Sequence, residues 1–397
     1  MELNTQRKVV LGVQHTIAMF GATVLVPLLT GLDASVALLA AGIGTLIFHV
    51  LTKLMVPVFL GSSFAFIPPI VAALNDEGFS MSATVGGIAA AGVVYAIVSV
   101  IVRFIGSDKI KRLVPPVVAG PVIVIIGITL APVAVDMSNA NWWLAILTLL
   151  VTVAAAIFMK GLWKMLPILS GAVVGYVVGA IAGEVDFDGI ADADWFGLPD
   201  FTFATFEWGA IILIAPVAFV TMIEHVGDII TNGRVVGKDF FEEPGLDRTL
   251  MGDGAATFLA GLVGGPANTT YSENTGVLAV TKVYDPAVLR IGAIVAIILG
   301  IIPKVAAVLQ SIPLSVLGGL SIVLFGMIAA VGLRTLVESQ VEMHKSRNLI
   351  VVAVILVLGL GTSGLENLQI GGVAISGLAL AAVVGVVLNL ILPADDS

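Results

Sequence analysis

The stretch that most constrains the fold runs from Gly264 to Lys282 and reads GGPANTTYSENTGVLAVTK. It lies in a chain built mostly of apolar segments, yet it breaks the rules for a membrane-spanning helix. Two glycines and Pro266 open it, and the residues at 268–271 favour extended backbone over helix. Only about ten residues from Asn274 onward can form a helix, which covers roughly half of a 30 Å hydrocarbon core at 1.5 Å per residue. Non-helical backbone at this depth persists only where it lines a cavity or is buried in protein.

Ser272, Glu273 and Asn274 lie where the extended part meets this half-helix. A carboxylate beside a helix N-terminus inside a membrane indicates a binding site. The alternative is an interfacial loop that ends at Pro266 and the glycines, with a solvated Glu273.

Composition places the chain in a broad class. Hydrophobic residues make up 58% of the 397 residues, charged residues only 11%, and the mean hydropathy is +1.11, which indicates a polytopic membrane protein. There is no cysteine for a disulfide or a thiolate metal site, and the four histidines show no zinc-binding spacing. The first apolar segment, from Val9 to about Leu32, is too long for a signal-peptide core, so we expect it to remain as a span. Basic residues are not clustered enough to suggest a nucleic-acid partner.

Fourteen apolar runs are of spanning or near-spanning length. They lie at roughly 9–32, 34–52, 55–74, 82–106, 113–135, 142–159, 165–183, 207–230, 249–263, 268–281, 287–309, 313–333, 348–363 and 370–393. The ninth and tenth runs are too short to cross alone in a regular way. Apolar segments of helical length with Gly and Pro indicate an all-α bundle and not a β-barrel, whose signal is alternating ten-residue strands.

The distribution of basic residues supports this count. With the N-terminus inside, alternation puts every Lys and Arg except Lys304 on the inner side. The loop at 184–200 falls outside and carries only acidic charges, at Glu184, Asp186, Asp188, Asp192, Asp194 and Asp200. Since positive residues hold loops in the cytoplasm, the pattern predicts a multi-pass protein of the inner (plasma) membrane with both termini cytoplasmic.

A similar broken segment lies at Gly61–Pro69, GSSFAFIPP, about half the chain length before the first. Seven spans is an odd number, so two seven-span halves are inserted in opposite senses. A pair of interrupted segments at matching places in inverted halves is typical of the central site of a transporter. Two helix N-termini with free N–H groups are then expected to point at one another. The alternative is a chance likeness between two serine-containing breaks.

The eighth segment contains Glu224 and Asp228, which are four residues apart and therefore share one helix face. Neither has a Lys or Arg on its own turn. Two close carboxylates at low dielectric do not easily both ionise, so the pair suits a group that takes up and releases a proton during transport. The alternative is a hydrated helix end, since Arg234 and Lys238 follow soon after.

Two more titratable residues lie in apolar segments. His15, early in the first span, is either a hydrogen-bonded core residue or a proton carrier. Asp253, near the start of the ninth segment, either caps a helix end or belongs to a network near Glu224. Both alternatives stay open for each residue.

Several motifs together resemble one family. They are Gln14-His15, AMFGATVLVP at 18–27, GSSFAF at 61–66, EHVG at 224–227, NTTY at 268–271, and ENTG at 273–276 followed by Thr281-Lys282. The last group fits a long signature of Gln or Glu, Asn, any residue, Gly, four residues, Thr and a basic residue. Over nearly its whole length the chain resembles the nucleobase–ascorbate transporters, the second class of nucleobase:cation symporters, and most closely their bacterial uracil permeases.

This resemblance implies fourteen spans in two inverted seven-helix repeats that fold into a core and a gate domain. The core domain would comprise residues 1–112 and 206–310, and the gate domain 113–205 and 311–397. The third and tenth segments would each contain a short strand, and these strands would pair near the centre. That agrees with the breaks at 61–66 and 268–272.

The resemblance also implies a substrate site. The carboxylates of Glu224 and Glu273 would hydrogen-bond the base, and the main-chain N–H groups of Phe64 and Ser272 would bind its carbonyl oxygens. Uracil presents two N–H donors and two C=O acceptors, so the set complements it group for group, and one unpaired group would cost roughly 1–3 kcal/mol. The other expected substrate-binding residues are Ser63, Tyr271 and Asn274, and those expected in proton coupling are Glu224, Asp228, His15 and Asp253.

Three positions depart from the pattern of uracil permeases. Asp228 stands where they typically have His, Asp253 where they tend to have Asn, and Ser272 where they have Gly, although only the backbone N–H of residue 272 is required. Acids at 228 and 253 are similar to the xanthine and urate members, but those usually have Gln in place of Glu273. We therefore expect uracil as the substrate, with xanthine or another purine as the alternative.

The resemblance thus implies a secondary active nucleobase importer that works by alternating access, with a proton as coupling ion, sodium as the alternative, and no other cofactor. A channel-like anion pathway is the alternative of a different class, but the polar groups concentrate at the centre and the two carboxylates would repel anions. No Ser/His/Asp or metal set lies at workable spacing, so we do not expect an enzyme. The resemblance and the Gly-rich spans at 313–333 and 370–393 predict a homodimer through the gate domain, in the lipid bilayer.

Overall fold

α-Helices make up most of the computed structural model, which describes residues 4–75, 78–106, 109, 114–160, 166–362, 369–370, 373–374 and 377–393. In chain order the elements are α1 (Thr5–Thr30), α2 (Ala34–Leu51), β1 (Leu60–Ser62), α3 (Ile67–Asn75), α4 (Met81–Ile105), α5 (Pro116–Thr129), α6 (Ala131–Asn139), α7 (Trp142–Phe158), α8 (Pro167–Ile181), α9 (Asp188–Asp192), α10 (Trp208–Ile214), α11 (Val217–Val236), α12 (Leu246–Val263), β2 (Asn268–Thr270), α13 (Ser272–Thr281), α14 (Pro286–Gly300), α15 (Pro303–Gln310), α16 (Leu314–Glu338), α17 (Ser346–Thr362), β3 (Gln369–Ile370), β4 (Val373–Ala374) and α18 (Gly377–Ile391). Lys111, Arg112 and Lys164, the predicted domain boundary at 112–113, and parts of the runs predicted at 348–363 and 370–393 lie outside the described residues.

Within these ranges six helices are long and apolar enough to cross a membrane: α1, α2, α4, the α5–α6 segment, the α10–α11 segment and α16. The helices α14 and α15 pass the same test as a pair. Shorter apolar helices of 10–17 residues make up much of the rest. The chain is therefore a multi-pass membrane protein, while the count of fourteen spans stays a prediction.

Two of the predicted spans have a different structure. The run at 287–309 is bent by 80° between α14 and α15. Pro303 has no N–H for a helical hydrogen bond, so it starts a new helix instead of continuing α14. The run predicted from 370 begins in a small antiparallel sheet of β3 and β4, where Ile370 and Val373 are β-branched residues that favour strands, and its helix starts only at Gly377. The described residues are therefore mostly helical, as predicted, and β3 and β4 form a small sheet that the sequence did not predict.

The two broken segments meet in the other sheet. β1 pairs with β2 antiparallel, with Leu60 opposite Thr270 and Ser62 opposite Asn268. The pairing extends at both ends, because the N–H of Ser63 donates to the carbonyl of Ala267 at 2.8 Å and the N–H of residue 271 donates to that of residue 59 at 3.0 Å. The expected pairing of short strands from the third and tenth segments is confirmed.

Each strand leads into a short helix. A 3-10 turn at Phe64–Phe66 and the nine-residue α3 follow β1, and the ten-residue α13 follows β2. The predicted half-helix is confirmed and begins two residues earlier than expected, at Ser272. The extended backbone at 60–63 and 264–271 is buried throughout, as non-helical backbone at membrane depth must be.

A glycine makes room for the strand pair. A Cβ at Gly61 would lie 2.4 Å from two ring carbons of Tyr271, closer than any side chain tolerates. Any larger residue would therefore push the Tyr271 ring away from the strands. The break therefore needs glycine at this position for packing.

The helices pack in two groups. In one group α12 lies against α4 and α2, and α14 lies against α1 and α2. In the other, α16 packs against α5, α6 and α7, α7 packs against α8, and α17 packs against α18. α11 contacts β2 and α13 on the side of the first group and α5 and α18 on the side of the second. It therefore lies where the groups meet.

Candidate functional site

A cavity of about 300 Å³ lies between these two groups of helices. α11, β2 and α13 line one side of it, and α5 and α16 line the other. The sequence-predicted residues in its lining are Phe64, Glu224, Asp228, Tyr271, Ser272 and Glu273. The structure thus brings together both carboxylates and both backbone donors expected for a nucleobase.

Glu224 and Asp228 lie on one face of the continuous helix α11, as predicted. Asp228 is buried, eight residues before the helix ends at Val236, with only 8% of its surface exposed. Its Oδ2 accepts a hydrogen bond from the hydroxyl of Thr270 at 3.0 Å, and its Oδ1 accepts one from the hydroxyl of Ser272 at 2.6 Å. Asp228 is therefore a partnered acid in the protein interior, and the alternative of a hydrated helix end does not hold.

The two glutamates differ from Asp228. Glu224 and Glu273 are partly exposed to the cavity and come from two different helices, α11 and α13. In the part of the chain that the structure describes, no side chain donates a hydrogen bond to Glu224. A carboxylate placed in this way at a cavity wall has its acceptor oxygens available to N–H donors of a ligand.

The backbone donors come from two helix starts. Phe64 begins the 3-10 turn and Ser272 begins α13. Neither start has a side-chain cap, since the residues at the cap positions, Ser63 and Tyr271, make no capping hydrogen bond. The N–H groups of a first helical turn have no partner within the helix. Both starts can therefore offer N–H groups to a carbonyl oxygen in the cavity.

Tyr271 lines the cavity but its hydroxyl is already engaged. It donates to the carbonyl oxygen of Ser62 at 2.8 Å and accepts from the hydroxyl of Thr23 at 3.4 Å. The side chain therefore links the residue after β2 to β1 and to α1. Its expected role in substrate binding stays a prediction.

Three other predicted residues lie away from the cavity lining. The amide of Asn274 donates to Nδ1 and to the carbonyl oxygen of His15, both at 3.0 Å, and both residues are buried. Ser63 is fully buried, and its hydroxyl has no partner within the described residues. His15 is thus a hydrogen-bonded residue that joins α1 to α13, and its role in proton coupling stays a prediction.

Asp253 pairs with His225 in the protein interior. The Nδ1 atom of His225 lies 2.7 Å from Oδ2 of Asp253, and its Nε2 lies 3.0 Å from the hydroxyl of Thr249. Asp253 is fully buried in the third turn of α12. The helix-cap alternative is therefore wrong, and the network alternative holds, since His225 is the neighbour of Glu224.

All three departures from the uracil-permease pattern lie on one network. Ser272 donates to Asp228, and Thr270 donates its hydroxyl to Asp228 as well. The backbone N–H of Thr270 interacts with the carboxylate of Asp253, which pairs with His225. The residues at 228, 253 and 272 thus belong to one network of contacts in this chain.

Sequence reasoning missed several residues of this region. Asn232 donates to the carbonyl oxygen of Pro57 and to the hydroxyl of Thr275, both at 3.1 Å, and so ties α11 to both broken segments. Its signal was its position, because it follows Asp228 by four residues on the same face. The lining from α16, including Met327, carries no such signal in an apolar run.

The cavity has a charged mouth. Arg234 of α11, and Arg334 and Glu338 of α16, line it beyond the acidic residues. Arg334 donates from Nε to Glu338 at 2.6 Å along its own helix. These residues lie on the side that the basic-residue pattern assigns to the cytoplasm. Among the described residues there is no group of three or more metal-ligating side chains at this or any other place.

Comparison with known proteins identifies the family. The profile of a family described as a permease family matches residues 6–368. The uracil permease of Bacillus caldolyticus is 45% identical, covering 97% of this chain and 92% of its own length. The uracil permease of Bacillus subtilis is 44% identical over 96% of this chain and 91% of its own, and that of Escherichia coli K12 is 41% identical over 96% and 90%.

Solved structures share the fold at low identity. The transmembrane domain of the cyanobacterium bicarbonate transporter BicA matches 97% of both chains with a TM-score of 0.64 and 16% identity. The overall structure of SLC26A9 matches 97% of this chain and 65% of its own with a TM-score of 0.71 and 12% identity. At such identities the likeness concerns the fold alone. The chain belongs to the permease family whose profile it matches, the nucleobase–ascorbate transporters that its motifs resemble.

Proposed function

We propose that the protein is a uracil importer, a secondary active transporter that works by alternating access. The observation that carries the proposal is the cavity in which Glu224 and Glu273 lie beside the helix starts at Phe64 and Ser272. Two carboxylates and two backbone donors complement the two N–H and two C=O groups of uracil. The names of the relatives, at 41–45% identity over nearly the whole chain, support the same substrate.

The walls of the cavity suit a flat base. Apolar side chains from α5 and α16, such as Ile123 and Ile328, face the polar groups of α11 and α13. Binding pockets for small molecules typically combine apolar walls with a few placed polar groups, and the volume of about 300 Å³ lies at the small end of their range. A single-ring base is therefore favoured over a larger ligand.

The charged mouth supports an inward-facing state. Arg234, Arg334 and Glu338 lie at the end of the cavity on the predicted cytoplasmic side. In alternating access, this mouth closes and the opposite end opens, while the two groups of helices move against each other around the site. The broken segments stay paired through β1 and β2 during this motion.

We propose the proton as coupling ion. Glu224 and Asp228 share a face, and the carboxylate of Asp228 already accepts two hydroxyl donors. A proton held on Glu224 or shared by the pair would accompany the substrate. An empty, doubly charged pair is unfavourable in the closed centre, so return of the carrier waits on proton exchange. Sodium is the alternative coupling ion.

The proposed architecture comprises fourteen spans in two inverted repeats. The antiparallel pairing of two broken segments about half a chain apart supports it. The two groups of helices correspond to the core and gate domains expected at 1–112 with 206–310 and at 113–205 with 311–397, and their packing supports this division. Both termini are proposed to be cytoplasmic.

We also propose a homodimer through the gate domain. Gly326 of α16 supports it, because a Cβ there would meet nothing within 4 Å and the position permits close approach of a helix from a partner. The interface can be tested by crosslinking between single introduced cysteines, because the chain has no native cysteine that would react as well. Crosslinks at exposed positions of the gate helices are expected, and crosslinks confined to residues of the first four spans would count against this interface.

One experiment tests the substrate and the coupling ion together. Uptake of labelled uracil and of labelled xanthine is measured in proteoliposomes with an imposed pH gradient or an imposed sodium gradient. We expect uracil to accumulate with the pH gradient alone. Accumulation of xanthine instead would establish the purine alternative, and dependence on sodium would replace the proton. Passive flux of anions without accumulation would favour a channel-like pathway, which the curated relatives do not support.

A further inference from the structure

Asp228 holds two neighbouring backbone segments at once. Its two oxygens accept the hydroxyls of Thr270 at 3.0 Å and of Ser272 at 2.6 Å. Thr270 is the last residue of β2 and Ser272 is the first of α13. The two hydrogen bonds therefore bracket the junction at which the strand becomes the half-helix.

The β1 segment holds the same junction through a second set of hydrogen bonds. Between the two bracketed residues, Tyr271 donates its N–H to the carbonyl of Phe59 at 3.0 Å and its hydroxyl to that of Ser62 at 2.8 Å. Residues 270, 271 and 272 are thus tied alternately to α11 and to the β1 segment. What remains available to a ligand is the N–H of Ser272 at the start of α13, which has no side-chain cap and faces the cavity, whereas the N–H of Glu273 interacts with its own carboxylate.

A carboxylate at position 228 suits this task because of its acceptor count. An ionised Asp has two oxygens that each accept, whereas Asn has one acceptor atom and a neutral His has one acceptor nitrogen. Ser272 is equally specific, since without its hydroxyl the buried Oδ1 of Asp228 would lose its partner. The contributions of residues 228 and 272 are therefore expected to depend on each other.

We propose that Asp228, Thr270 and Ser272 form a clamp that positions the N-terminus of α13 for the substrate. In this clamp Ser272 acts through its hydroxyl as well as through its backbone N–H, and Asp228 has a positioning role in addition to any part in proton coupling. Both are positioning residues, because the substrate contacts the backbone that they hold. The inference rests on the proposed function in that uracil is the ligand.

A double-mutant cycle tests the clamp. Uracil affinity is measured by calorimetry at one pH for the wild type, Ser272→Ala, Asp228→Ala and the double variant. We expect Ser272→Ala to weaken binding about tenfold, as the loss of a hydrogen bond to a charged group does. In the Asp228→Ala background the same change should alter affinity by less than about twofold, because its partner is already gone.

Conservative variants separate positioning from general destabilisation. Thr270→Ser keeps the hydroxyl and should bind uracil as the wild type does, whereas the isosteric Thr270→Val should bind it more weakly. Asp228→Asn keeps one acceptor and should fall between the wild type and Asp228→Ala. Thr129→Val is the matched control, since it deletes a hydroxyl that bonds only within its own helix, far from the clamp in sequence. Thermal unfolding of each variant shows whether it is folded.

Two outcomes would overturn the clamp. One is a Ser272→Ala variant that binds uracil as tightly as the wild type. The other is a loss on Ser272→Ala that is equally large with and without Asp228. If Asp228→Ala fails to fold, the comparison of Thr270→Ser with Thr270→Val tests the clamp instead. Equal uracil affinities in these two variants would show that the hydroxyl of residue 270 does not contribute to binding. If the wild type itself binds no uracil, the proposed function fails. If the wild type binds uracil but the effects of Ser272→Ala and Asp228→Ala are independent, only the clamp fails.

Discussion

The ring of Phe64 meets the ring of Phe325 edge to face, with centroids 5.8 Å apart and planes at 76°. Phe64 belongs to the 3-10 turn after β1 and Phe325 to α16, so the contact joins the two groups of helices at the cavity. On α16, Phe325 precedes Arg334 of the mouth by nine residues, or roughly 13 Å of helix. Such aromatic pairs contribute about 0.5–1.5 kcal/mol beyond the buried area. The contact therefore joins the two groups of helices at the end of the cavity away from its charged mouth, and we expect it to act as a seal there.

Removal of the Phe325 ring should open this seal. Because the chain has no cysteine, Ser63→Cys provides a single reporter beside the contact. In that background, Phe325→Ala should make the thiol reactive toward a membrane-impermeant maleimide added from the outside. Phe325→Tyr, which keeps a ring, is the control and should leave the thiol protected. A thiol that stays protected in Phe325→Ala would show that other residues form the seal.

The Glu273 carboxylate should be essential for uracil binding. Glu273→Gln leaves one neutral acceptor oxygen in place of two charged ones and adds an NH₂ donor, so the N–H of the base loses a charge-assisted hydrogen bond, at a cost of roughly 1–3 kcal/mol. We expect calorimetry on the purified protein to show binding weakened at least about fivefold, or abolished. Unchanged affinity would remove Glu273 from the site. A gain in xanthine binding would favour the purine alternative.

Much of the central architecture was predictable from sequence for a physical reason. Gly61, Pro266 and the polar residues around Glu273 are incompatible with a continuous helix, so in a membrane they must mark a broken segment in the protein interior. The spacing of Glu224 and Asp228 fixes their common face in any helix. These are local signals, and the structure confirms each of them.

The rest depends on contacts between distant residues. His225 meets Asp253 only because α11 and α12 cross where they do, and no local pattern reports that crossing. The opposite wall of the cavity comes from α16, whose residues around Phe325 are apolar on every face, so nothing in the sequence marks the lining side. Pro303 indicates a helix break, but the apolar residues on both sides of it favour a single span, so the sequence predicts one run at 287–309.

An ion pair between Lys8 and Asp285 joins α1 to the N-terminus of α14 on the side of the basic residues, with Nζ and Oδ2 2.7 Å apart. Partial burial disfavours the charged carboxylate, but the hydrogen bond and charge of Lys8, together with the N–H of Ala287, hold the pKa of Asp285 below its usual value. A lowered pKa in the folded state means that the stabilisation is present above the unfolded pKa and is lost as the pH falls through the folded pKa.

Asp285→Asn should therefore lower thermal stability at neutral pH. Asparagine still caps α14, so the variant removes mainly the charge. For a partly exposed pair we expect a loss of about 0.2–1 kcal/mol, and the difference from the wild type should narrow as the pH is lowered below about 4. Thermal melts at several pH values measure it. A difference that stays constant down to low pH would exclude the ion pair as its cause.

The pair Glu224 and Asp228 should determine the pH dependence of uptake. Asp228→Asn removes a neighbouring negative charge, so Glu224 can keep its own charge to lower pH. The pH profile of uracil uptake should therefore move to lower pH, while binding at low pH persists with the reduced affinity that the loss of one clamp hydrogen bond causes. Glu224→Gln should lose pH-driven accumulation altogether. A profile that Asp228→Asn leaves in place would mean that the two carboxylates are not coupled.

The glycine of the family signature, Gly276, should leave room for substrate and not for packing. It lies on α13 three residues after Glu273 and lines the cavity, and a Cβ added there would meet nothing within 4 Å. Gly276→Ala should fold with unchanged or raised thermal stability, since alanine favours a helix by about 1 kcal/mol. The added methyl group should nevertheless weaken uracil binding at least about fivefold by occupying the space of the base.

Gly61→Ala is the matched comparison, because its Cβ would lie 2.4 Å from the ring of Tyr271. This variant should lose thermal stability along with transport, whereas Gly276→Ala should lose affinity alone. Calorimetry with uracil and thermal melts on both variants separate the two effects. Wild-type affinity in a stable Gly276→Ala protein would place the base away from α13, on the side of the cavity formed by α5 and α16.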